Sequence, residues 1–242
     1  MKFKIFTLFP NFIDAFKDYS IVKQGIKKGL VSIEIINIRD YTPLKHKQVD
    51  DEEYGGSPGM LLRVEPLYYA LEQNLEKNDY VIYPSPNGDV FTQEKVLGLL
   101  NKKKNISIIC GHYKGIDNRI IEKYVDEEIS IGDYIISGGE IAALVIMDSI
   151  IRLIDGVINT KESALEDAIM YDYLLDTPRY TRPRNFSLLG DVPKILLTGN
   201  HKEIKKWQLK NRILKTLKNR PDLYSKFLTK IITKKGEEDE NK

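Results

Sequence analysis

Asp167 is the side chain best suited to move a proton. It stands in the polar stretch Asn159 to Asp176, which reads as an interdomain linker or lid. A carboxylate delivered when a second substrate arrives suits a general base. Glu166 beside it carries the same charge, and in isolation either is helix-surface charge. Arg152 ends a helix that is apolar from Ile141 onwards. It either opposes the dipole at that helix's C-terminus or points into a crevice and stabilises developing negative charge. Asp50 and Asp51 could form a carboxylate pair, but beside Glu52 and Glu53 they read equally well as a solvated acidic loop.

Other chemistries find little support. His46, His112 and His201 are far apart, and none has metal-ligand spacing with a cysteine or carboxylate, so no metal site is expected. There is no G-x-S-x-G for a serine nucleophile. No G-x-G-x-x-G follows the first apolar run, and no G-x-x-x-x-G-K-[ST] occurs. The single cysteine, Cys110, excludes an internal disulfide framework, and its apolar surroundings predict a buried, inert thiol.

Three apolar runs open into small, backbone-rich loops. Y-V-I-Y runs into P-S-P-N-G (Pro84 to Gly88), and I-S-I-I-C into G-H-Y-K-G (Gly111 to Gly115). The third loop, S-I-G-D-Y-I-I-S-G-G-E (Ser130 to Glu140), precedes a wholly apolar helix. Such loops at the carboxyl edge of one sheet would share a crevice. Gly132, Gly138 and Gly139 would let the main chain approach a ligand closely, and a nucleoside-like ligand fits better than a dinucleotide or triphosphate.

The elements that must hold these loops alternate in type. Strands are expected at 2–8, 31–38, 80–84, 105–110 and 131–136, and helices at 11–29, 65–76, 92–103, 117–125 and 139–153. This predicts an α/β domain over residues 1–158 with a mostly parallel sheet. The aperiodic segment Arg39 to Met60 is long enough to be a functional loop. After the linker at 159–176, two prolines break Thr177 to Pro183. His201 to Leu217 and Pro221 to Ile232 then read as helices of a small α-helical domain, 177–235, before an acidic tail, 236–242.

The net charge of +2 conceals an asymmetry. From His201 to Lys235 there are 12 Lys/Arg against Glu203 and Asp222, whereas residues 1–200 carry a net −5. That end either meets a polyanion or is a solvated lysine-rich surface. The first residues are too short and interrupted for a signal peptide, and no run approaches the roughly 20 apolar residues that span a bilayer. A cytoplasmic protein without membrane partners is expected.

Together these segments closely resemble the bacterial tRNA (guanine-N1)-methyltransferases, the TrmD type of the SPOUT superfamily. The landmarks run in order: L-F-P (Leu8 to Pro10), V-D-D-x-x-Y-G-G-S-P-G-M (Val49 to Met60), Y-P-S-P-N-G (Tyr83 to Gly88) and C-G-H-Y-K-G-I-D-x-R (Cys110 to Arg119). They continue through S-I-G-D-Y-I-I-S-G-G-E, D-x-P-R-Y-T-R-P (Asp176 to Pro183) and L-x-G-N-H-x-E-I-K-K-W (Leu197 to Trp207). The resemblance implies methyl transfer from S-adenosyl-L-methionine to N1 of guanosine 37 in tRNA. It also implies a trefoil knot closing the α/β domain and a homodimer with a composite active site.

By the same resemblance, Asp167 is the base and Arg152 the cation for guanine O6. The donor would be held by Tyr83, Pro84, Ser85 and Pro86 of the first loop and by Gly111 and Tyr113 of the second. The third would contribute Ser130, Ile131, Gly132, Asp133, Tyr134, Ile135 and Ile136, with Gly138 and Gly139. RNA would meet Asp50, Lys205, Lys206, Lys210 and Arg212, while Trp207 either stacks on a base or packs. Magnesium enters as a further cofactor of the family. Lys114, however, stands where the family commonly has an acid linked to donor placement and divalent-metal dependence, which weighs against that requirement. Ser57 replaces a third glycine, and one extra residue separates Asp167 from Asp176. Alternative readings are a methyltransferase acting on ribosomal RNA and a non-catalytic RNA-binding protein.

Overall fold

Five strands pair side by side in one parallel sheet. In the computed structural model, which describes residues 1–56, 58–158 and 172–240, the strands are β1 (Lys2–Thr7), β2 (Ser32–Asn37), β3 (Asp50–Glu52), β4 (Met60–Leu62), β5 (Asp79–Val90), β6 (Asn105–Ile109) and β7 (Glu127–Ser130). The main sheet has the order β2-β1-β6-β5-β7, all parallel, while β3 and β4 form a separate antiparallel hairpin. Parallel strands are covered on both faces, and the central runs of β1, β5 and β6 are buried on both sides, whereas the edge strand β2 alternates. One face packs Phe3, Ile5, Ile106 and Ile108 against α1 (Pro10–Phe16), α2 (Ser20–Lys27), α4 (Gln93–Asn101) and α6 (Gly139–Ile151). The other packs Phe6, Val81 and Ile109 against α3 (Val64–Asn74) and α5 (Asn118–Tyr124).

The elements depart from expectation in three places. The helix expected at 11–29 is two. The N–H groups of Lys17, Asp18 and Tyr19 bond to carbonyls three residues back, and Ser20 adopts φ +37, so the chain turns between α1 and α2. The fifth strand is Glu127–Ser130, not 131–136. Gly132 takes φ +146, which ends the extended run, and Ile135 is 82% exposed. Third, the long segment after Arg39 holds two 3₁₀ turns and the β3–β4 hairpin.

β5 positions the first loop by breaking its own ladder. Its register on β7 runs Tyr83↔Glu128 and Pro84↔Ile129, then resumes at Asp89↔Ile129 and Val90↔Ser130. Ser85–Gly88 are looped out between these pairs. Gly88 returns under the main chain of Glu128 and Ile129, where any Cβ would overlap backbone atoms.

Lys4 is not a solvent-facing residue of β1. It is 1% exposed, and its ammonium donates to the Asn74 carbonyl (2.6 Å), Glu76 (2.8 Å) and Asp79 (2.9 Å). Burial pulls its pKa down, and hydrogen bonds to Glu76 and Asp79 more than offset this, leaving it raised.

The chain divides into two compact units, Met1–Lys161 and Glu162–Lys242. The second contains the hairpin β8 (Asn185–Phe186) and β9 (Gly190–Asp191), then α7 (His201–Asn219) and α8 (Pro221–Glu240). Asn200 caps α7 by accepting from the Glu203 N–H. Arg212 anchors the segment preceding these elements, donating to Asp172 (2.6 Å) and to the Leu174 and Leu175 carbonyls. Thr216, fully buried, accepts from the Leu175 N–H at 2.8 Å. Among the described residues no helix is long and apolar enough to cross a membrane.

Candidate functional site

The carboxyl ends of β5, β6 and β7 open into a common cavity of about 280 Å3, lined by all three backbone-rich loops and by Ala142 on α6. That volume lies near the small end of ligand sites and suits one nucleoside-sized molecule.

Glycines set its walls. The Gly139 N–H donates to the Gly111 carbonyl at 2.8 Å, and a Cβ on Gly139 would lie 2.8 Å from the Cys110 Cα. α6 therefore begins directly against the end of β6. Gly111 makes room for Tyr83, whose ring would be 2.8 Å from an added Cβ. Tyr83 is buried beside the second loop, its hydroxyl against Gly115. Burial raises the pKa of this phenol, and the nearby Glu128 charge raises it further. In the third loop, Gly132 carries the Tyr134 ring against it, and its N–H and carbonyl both bond the Ser130 hydroxyl at 3.2 Å.

The floor is fixed from below. Thr7, at the end of β1, donates to Glu140 in the first turn of α6 at 2.8 Å, and both are buried. Cys110 lies beneath, fully buried, and burial together with the Glu140 charge pushes its thiol pKa well up. The thiol thus stays protonated and serves as packing.

Most residues expected to hold a donor do converge here. Tyr83, Pro84, Ser85 and Pro86, Gly111 and Tyr113, and Ser130 through Gly132 line the cavity, as do Tyr134, Ile135, Ile136, Gly138 and Gly139. Asp133 does not line it and is exposed. His112, Lys114, Gly115, Ile129, Ser137 and Ala142 line it as well. All but Ile129 and Ala142 sit inside the loops already singled out, and Ala142 follows Gly139 by one helical turn.

Arg152 does not share this cavity. It caps the opposite end of α6, thirteen residues and about 20 Å of helix from Gly139. Asp167 lies outside the described residues, as does Ser57. Asp50 and Asp51 do not form a pair for proton exchange. They are successive residues of β3, where side chains alternate faces, and Asp51 pairs with Arg63. In the second unit Lys205, Lys206 and Lys210 are exposed along α7, Trp207 is half-buried, and Arg212 is turned inward onto Asp172. Asp176 accepts from Arg179 at 2.6 Å; burial opposes its charge, but Arg179 and the Thr177 N–H hold its pKa below the ordinary value.

The cavity's lining fits a nucleoside-like ligand better than it fits a divalent ion. Lys114 puts its ammonium on the wall, 3.0 Å from Glu53. An ammonium–carboxylate pair is not the all-oxygen donor set that magnesium requires. By contrast, close main-chain approach at Gly111, Gly132 and Gly139, with apolar side chains between, is the wall a nucleoside needs.

Residues 1–226 match the family described as tRNA (Guanine-1)-methyltransferase TrmD. The chain is similar to proteins named tRNA (guanine-N(1)-)-methyltransferase. That of a Sulfurihydrogenibium species is 51% identical over 93% of this chain and 88% of its own. Those of Borrelia garinii and Finegoldia magna are 50% and 46% identical, each over 94% of this chain and at least 95% of theirs.

Proposed function

This chain belongs to the tRNA (guanine-1)-methyltransferase TrmD family, and from that premise we propose that it methylates N1 of guanosine 37 in the tRNA anticodon loop. The methyl donor is S-adenosyl-L-methionine, which when bound supplies an electrophilic methyl carbon on sulfur. The observation that carries this reading is the cavity where three strand-end loops present glycine main chain.

Guanine N1 carries a proton and is a poor nucleophile until that proton leaves. Asp167 takes it as the N1–carbon bond forms and the carbon–sulfur bond breaks, and Arg152 stabilises the negative charge developing on O6. A base in an anticodon loop is already single-stranded, so presenting it costs little unstacking energy. The Tyr83, Gly111 and Ser130–Gly132 walls hold and orient the donor.

The active site is composite, formed by two copies of the chain. The length of α6 supports this, because an Arg152 about 20 Å from the cavity floor serves the cavity of another copy rather than its own. So does an apolar stripe on the first unit: Ile141 and Val145 on α6, with Phe12 on α1, are each over 40% exposed. The looped-out Ser85–Gly88 segment of β5, crossing β7 at Gly88, is where the trefoil knot of the SPOUT fold would close. The first unit binds the donor and the second binds RNA, in the cytoplasm.

The deciding experiment transfers labelled methyl from S-adenosylmethionine to unmodified tRNA transcripts. Label appears in the transcript with guanosine 37 and not in one where that base is changed. Label in ribosomal RNA alone would replace tRNA with the rival target, and RNA retention without donor binding would make the protein non-catalytic. A second measurement addresses the basic helix. Reversing Lys205 and Lys206 to Glu weakens tRNA binding and makes its salt dependence shallower. An unchanged slope would mean that α7 presents only a solvated surface.

A further inference from the structure

The β3–β4 hairpin is fastened to the wall of the cavity. The Leu62 N–H donates to the Gly115 carbonyl at 3.1 Å, and the Lys114 N–H to the Met60 carbonyl at 3.0 Å. Lys114 then reaches back to Glu53, its stem lying across Gly59, where a Cβ would come within 2.8 Å of the Lys114 Cε. These contacts hold the hairpin tip at the rim. Beside Glu53, at that tip, Tyr54 is fully exposed. Gly55 and Gly56 follow at φ +99 and +77, so the chain turns sharply just behind the ring.

The ring of Tyr54 offers a free aromatic face at the cavity rim, on which a planar group can stack. The charge around it decides which part of an RNA that is. Asp51 and Glu53 pair with Arg63 and Lys114, and Arg119 is engaged by Asp117, so the cations near Tyr54 are already matched, while Asp50 and Glu52 add negative charge that repels phosphate. A nucleobase meets the ring without that repulsion. Resting on the reading of the cavity as the methyl-donor site of a tRNA methyltransferase, we propose that Tyr54 is a positioning residue that stacks on the base next to the guanine being methylated.

Base–aromatic stacking tolerates any base, and its loss corresponds to about a 5–150-fold weakening. Tyr54→Ala therefore raises KM for tRNA by about that factor, with kcat at saturating tRNA and donor affinity by calorimetry unchanged. Tyr54→Phe, which keeps the ring, restores KM. An anticodon-arm RNA carrying 2-aminopurine beside the target guanine is quenched by the unmodified protein and by Tyr54→Phe, but not by Tyr54→Ala. Wild-type KM and quenching in Tyr54→Ala would overturn the proposal, as would a Tyr54→Phe variant as impaired as Tyr54→Ala. The fluorescence arm needs no turnover, so absence of donor binding in the unmodified protein would sink the functional reading separately.

Discussion

Replacing Asp167 by alanine lowers the single-turnover rate of methyl transfer by about 10²–10⁴-fold, while calorimetric donor affinity stays unchanged. The split follows from the roles. In the proposed reading the donor is held by main chain and Tyr83 at the cavity, and the carboxylate meets only the guanine's proton, so its removal leaves the donor's contacts in place. Losing the base leaves a protonated N1 facing an intact methyl donor. In barrier terms the loss is about 3–5 kcal/mol. Asp167→Asn, which keeps shape and hydrogen bonding but accepts no proton, falls with the alanine variant, and Glu166→Ala is the neighbouring control. A near-normal rate in Asp167→Ala would remove that carboxylate from the chemistry.

The second large effect is on stability. Lys4→Ala destabilises the first unit by about 3–5 kcal/mol, because it leaves the buried Asp79 carboxylate without its cation. One Asp79 oxygen already lacks a hydrogen-bond partner, so the site has no spare donor to take over. Removing both charges is far milder. In Lys4→Met with Asp79→Asn, the amide oxygen still accepts from the Glu76 N–H, as Asp79 does now at 2.9 Å, and most of the loss is recovered. Urea unfolding of the two variants checks both statements, and a single variant within 1 kcal/mol of the parent would show that the network carries little energy.

Much of the cavity was legible because glycine and apolar runs leave direct signatures. A loop such as Gly111–Gly115 after a five-residue apolar strand reads alone as an ordinary turn, and it is three such loops at equivalent strand ends that point to a shared crevice. β7 was harder to see. Its first residues are Glu127 and Glu128, which look like a surface run, yet Glu127 is bonded by Lys95 and the Tyr80 hydroxyl. Ile131, Ile135 and Ile136 attracted the strand assignment instead, since line-up of apolar side chains against a ligand wall mimics a buried strand. The split of α1 from α2 turns on backbone hydrogen bonds at Lys17–Tyr19, which no periodicity reports. Position on a helix was available but unused: thirteen residues of α6 are enough to carry Arg152 away from Gly139. For Arg212, net charge alone pointed outward, whereas the long-range partner Asp172 turns it in.

Every pairing in the main sheet is parallel, so no two of its neighbouring strands are joined by a tight turn. Each contact waits for a long crossover to be laid down first. Distant pairing of this sort nucleates slowly. The crevice gathers the tips of three such strands, so a partial sheet offers a ligand only part of its wall, and the third loop joins it when β7 pairs with β5.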